Sequence, residues 1–116
     1  MWFAISLVIL AASPDGGGGK YAPQAVAGAE DRLRTAGFAI GAASLCKGIE
    51  PDRLRAAAAK MQQLIDKGVD DNAQYYAANN IFAKAIDSGK SAIRKRDTDC
   101  AHATHDFRQL EKELGP

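Results

Sequence analysis

The sequence predicts an all-α protein: a small four-helix bundle or irregular helical globule closed by one disulfide. Three observations carry this prediction. Apolar residues recur at steps of three and four along four successive segments. Gly, Pro and Asp/Thr positions punctuate those segments where helices start and stop. The chain also has two cysteines, Cys46 and Cys100, with no C-x-x-C pair and no zinc-type spacing, so a single structural disulfide is the expected use.

The first helical segment runs from about Pro23 to Cys46. Pro23 suits a first helical turn because it brings a preset φ and lacks a needed N–H. Val26, Ala29, Leu33, Gly37, Ile40 and Ser44 form one face, widened by Phe38, Ala42 and Leu45. Gly37 and Gly41, one turn apart, mark close packing against a neighbouring helix. Gly48 is the expected C-cap.

The second segment spans Pro51 to Lys67, ended by Gly68. Ile49 is placed to staple against Leu54 across the helix start. Leu54, Ala57, Ala58, Met61, Leu64 and Ile65 supply its stripe. The third begins at Asp70 or Asp71, where Asp71 and Gln74 have the spacing of a capping box. Tyr75, Ala78, Phe82, Ile86, Gly89 and Ile93 form its apolar face.

The fourth segment runs from about Thr98 to Leu114, with Cys100, Ala103, Phe107, Leu110 and Leu114 on one side. No Gly or Pro separates it from the third. A break at Arg96–Thr98 is nevertheless expected, because Asp97, Thr98 and Asp99 compete for backbone hydrogen bonds and make good N-caps. An unbroken helix would run to about 60 Å and need a partner chain. In this layout the disulfide joins the end of the first helix to the start of the fourth. Closing so long a loop is worth roughly 4 kcal/mol in the chain-entropy description.

Residues 1–13 read as an apolar, signal-peptide-like leader and 14–22 as a glycine-rich linker, leaving 23–116 as a single helical domain. The apolar run Trp2–Ala12 would extend only about 16 Å as a helix, which is too short for a membrane span. With paired cysteines, this places the protein in the periplasm or outside the cell. No membrane span beyond that leader is expected.

The formal charge is +1, with acids and bases interspersed. A nucleic-acid surface needs a dense basic stripe. The one basic run, Lys90 to Arg96, has Asp97 and Asp99 beside it and reads as a solvated helix end. No catalytic constellation stands out. Ser44, Ser88 and Ser91 lack a nucleophile elbow, and Gly16–Gly19 lacks the Gly-Lys-Ser/Thr ending of a phosphate loop. No cofactor motif is present, and the chain reads as a non-enzymatic protein.

Two sets of residues are candidate sites. Tyr75, Tyr76, Asn79 and Asn80 form a recognition patch for a protein partner, because adjacent tyrosines on a helix cannot both face the core. His102 and His105, three apart on one helix, are the alternative: a metal site, which would still need further ligands once Cys100 is bonded.

An apolar leader, a few helices and one disulfide closing about fifty residues resemble, in outline, the small periplasmic acid-stress chaperones. No motif residue carries over from them. The resemblance implies a chaperone-like binder. Below about pH 4 the 14 acids would neutralise and leave 15 bases and two protonated histidines, favouring a looser body.

Overall fold

The computed structural model describes residues 23–115, with side-chain surroundings from Ala29 onward. The expected leader (1–13) and linker (14–22) lie outside the described residues. The described chain forms four helices: α1 (Pro23–Ser44), α2 (Pro51–Gly68), α3 (Asn72–Arg94) and α4 (Cys100–Leu114), with no strand among the described residues. A disulfide joins Cys46, just past α1, to Cys100, the first residue of α4, with Cα atoms 5.6 Å apart.

Local chemistry sets the helix ends, in two places differently from expectation. α1 stops at Ser44, where Leu45 N–H donates to Ala42 O (3.2 Å) and Cys46 N–H to Ala43 O (3.0 Å). These short-range bonds tighten the last turn and use its carbonyls, so no left-handed cap is needed. Gly48 therefore does not cap α1: it lies in the following connection and has no positive φ. Gly68 likewise is not a cap but the last, buried residue of α2, and extended Val69 stops the helix.

Ile49 is buried in the main core, and Leu54 packs against the same cluster, as a staple requires. At α3, Gln74 N–H donates to Asp71 Oδ1 (2.8 Å), while Gln74 Oε1 accepts from Asp70 N–H (3.0 Å). The capping box is there, with its return bond reaching one residue further back than the usual pattern.

The break between α3 and α4 is a full Schellman turn. Asp97 N–H donates to Ala92 O (2.9 Å), Arg96 N–H donates to Ile93 O (3.2 Å), and Arg96 has φ 63°. Asp99 then caps α4 by accepting from His102 N–H (2.8 Å). A Cβ in the left-handed region costs roughly 1–2 kcal/mol. Arg96 is exposed. Arg96→Gly is expected to raise stability by about 0.5–1 kcal/mol, the relief of strain exceeding the entropy that glycine adds to the unfolded chain. Paired urea titrations of the disulfide-bonded proteins would measure it; a loss of stability would contradict the strained cap.

Packing is organised around α1, which touches all three other helices. Its pairing with α3 is by far the most extensive, and α3 and α4 hardly meet. The reason is a seam of small residues. A Cβ built on Gly41 would lie 2.0 Å from Ile86 O, and one on Gly89 would lie 2.2 Å from Phe38 O. Gly37 comes against Ala85 and Phe82 in the same way. The contacts advance in the same direction along both chains, so α1 and α3 run parallel with touching backbones. Sequential neighbours do not dominate here as they do in a simple up-and-down bundle, and the fold is an irregular helical globule.

The main core collects Leu33, Ile40, Met61, Ile65, Phe82 and Phe107, with Met61 and Phe107 fully buried. A smaller cluster of Ala42, Cys46 and Ala103 surrounds the disulfide, backed by Phe38 and Ile93. Of the apolar face expected for α1, Ser44 and Leu45 are exposed, because the helix ends there and turns its last residues outward.

Candidate functional site

The tyrosine pair sits on the first turns of α3, fixed by the Asp71 cap one turn earlier. Consecutive residues on a helix project about 100° apart, so the two rings divide their work. Tyr75 is half-buried and packs against the main core. Tyr76 is 69% exposed, and its ring meets Tyr75 edge-on, with centroids 5.6 Å apart and planes at 73°. The buried ring thus supports the exposed one in a favourable aromatic geometry.

The two asparagines differ as well. Asn79 is half-buried and spends its side-chain amide on the Tyr75 carbonyl (2.9 Å). Asn80 is exposed, one turn along from Tyr76. The patch available to a partner is therefore Tyr76 with Asn80: an apolar ring, a phenolic hydroxyl and an amide. Tyr75 and Asn79 act beneath it.

His102 turns back to its own helix cap, and His105 stands exposed on the same helix. His102 Nδ1 lies 2.9 Å from Asp99 Oδ1, the same oxygen that caps α4. This hydrogen bond raises the His102 pKa above its ordinary value. The Asp99 pKa is lowered, first by the backbone N–H of His102 that its carboxylate accepts and then by the His102 ring. Cys100 is consumed in the disulfide. Among the described residues no three His, Cys, Asp or Glu side chains are grouped to hold an ion.

A second polar cluster, which no sequence spacing marks, joins α2 to α4. Arg53, on the first turn of α2, donates from Nε to Glu111 Oε2 of α4 (3.0 Å) and from Nη2 to Glu111 Oε1. The fork is bidentate, the stronger geometry for such pairs. The guanidinium also sits 6.0 Å from the ring centre of fully buried Phe107. The two residues are 58 apart in sequence, so no local spacing announces the pair.

The Arg53 hydrogen bonds hold the Glu111 pKa below its ordinary 4.5. A carboxylate with a depressed folded pKa gives stability above the unfolded value that is lost as pH falls through the folded one. Glu113 has the opposite sign, because burial raises its pKa. The expected result is an unfolding free energy that declines as pH falls below about 4.5, with a shallower decline in Glu111→Gln. Urea titrations at stepped pH would check this, and equal slopes would remove Glu111 from the acid limb.

No helix among the described residues is long and apolar enough to cross a membrane. No protein-family model matches the chain, and neither curated proteins nor solved structures show similarity to it.

Proposed function

We propose that this chain is an exported, non-enzymatic protein-binding factor, chaperone-like in mode, which docks its partner through the first turns of α3. The observation that carries the reading is Tyr76. A large aromatic side chain stands 69% exposed on a rigid, capped helix, propped by a second tyrosine and flanked by a free-standing amide. Tyrosine is enriched among the residues that dominate binding energy, because it offers a large rigid ring and a polar tip at low entropic cost.

The disulfide supports an oxidising compartment, periplasmic or extracellular. The apolar leader read in the sequence points the same way.

The test begins with a photo-crosslinking residue at position 76, and another at exposed Lys84 as control, in the native exporting cell. A protein captured from 76 and not from 84 is then purified and its affinity measured. Tyr76→Ala is expected to weaken binding at least tenfold, or about 1.4 kcal/mol, with the fold unchanged. Identical crosslinks from both positions, or an affinity indifferent to Tyr76→Ala, would contradict the proposal.

A further inference from the structure

We infer that α2 is a separable lid over a body formed by α1, α3 and α4, held shut by a charge clasp centred on Glu111. The body has its own fastenings. α1 and α3 are joined backbone to backbone at Gly37, Gly41 and Gly89, and α4 is tied to the end of α1 by the disulfide. None of these fastenings involves α2. Its contacts with α1, α3 and α4 are each sparser than those that α1 makes with α3 or α4.

The α2–α4 seam carries charge. Glu111 of α4 faces Arg53 and Lys60 from α2 and Arg108 from its own helix. Lys112 lines the same shallow groove, about 380 Å³ in volume. On the α2 side Glu50 adds a weaker attraction for Arg53. Lys60 completes the clasp by donating to the Gly115 carbonyl past the end of α4 (2.6 Å). One carboxylate thus holds together cations from two helices. Without its charge, Arg53 and Lys60 on α2 face Arg108 and Lys112 on α4 across the seam, and attraction becomes repulsion. Opening would uncover Met61 and Ile65 on α2 and Phe107 on the body, all at most 2% exposed when shut. The device thus converts a charged surface into an apolar one.

Amide hydrogen exchange at constant neutral pH tests it. In the wild type, α2 amides are expected to exchange through openings that leave α1 and α3 protected. In Glu111→Gln, with helix content checked by circular dichroism, α2 exchange should rise at least tenfold while α1 and α3 hold. Added sodium chloride should slow α2 exchange in that variant, because it screens the remaining cations from one another. A single common rate for α1, α2 and α3 in the wild type would overturn the lid, and this readout requires no variant to fold. An α2 rate unchanged by Glu111→Gln, or not slowed by salt in the variant, would overturn the clasp. Tyr76→Ala leaves the seam untouched, so failure of the lid and failure of the tyrosine reading are told apart.

Discussion

Gly41→Ala is expected to destabilise the protein by about 2–3 kcal/mol, although alanine is the better helix former by about 1 kcal/mol. The added methyl would sit 2.0 Å from the Ile86 carbonyl oxygen. The obstacle is backbone, so no side-chain rotation relieves it, and α1 and α3 must move apart along their whole seam. That movement loosens the packing of Leu33, Ile40 and Phe82, which meet in the main core. Gly48→Ala is the control. There the new carbon meets only Thr104, at 3.4 Å from Oγ1, and the stability should stay within about 0.5 kcal/mol of wild type. Urea unfolding of both variants, disulfide intact, decides the matter: a Gly41→Ala protein as stable as wild type would mean that the backbones do not touch.

Reducing the disulfide, or replacing both cysteines with serine, is expected to cost about 4 kcal/mol. The bond closes a loop across 54 positions, so most of this comes from the wider freedom of the unfolded chain. Cys46 is 6% exposed in a small cluster with Ala42 and Ala103, so serine also buries a hydroxyl where a sulfur packed. Small domains typically have about 5–15 kcal/mol in all. The reduced protein should therefore unfold at much lower urea, with α4 losing its fixed position against α1. A shift below about 1 kcal/mol would show that α4 is held by packing alone.

Much of this fold could be read from the residues in order. The stripes Leu54–Ile65 and Ala103–Leu114 face the core as their spacing predicts, because burial repeats every turn of a helix. The Asp71–Gln74 cap and the break before α4 were legible for the same reason: each depends on residues within one turn. What was not legible is long-range or strained. Gly37, Gly41 and Gly89 could be marked as close-packing positions, but nothing local says that they meet one another. The Arg53–Glu111 pair joins two helices far apart in sequence. Arg96 takes the left-handed position usually given to glycine, so the signal that marks such a turn is missing. Within the tyrosine patch the spacing showed that one ring must face outward, and the core contacts of Tyr75 determine which. Asn79 was expected at the surface with Asn80, but its amide turns back to the helix.

Intact mass spectrometry of the protein recovered from its own compartment reads out whether the helical body is closed by a Cys46–Cys100 bond. Treated with an alkylating reagent alone, the protein should gain no mass; with reductant added first, it should gain two alkyl groups. Two alkyl groups added without reductant would mean free thiols in the native protein and would contradict the closed body described above.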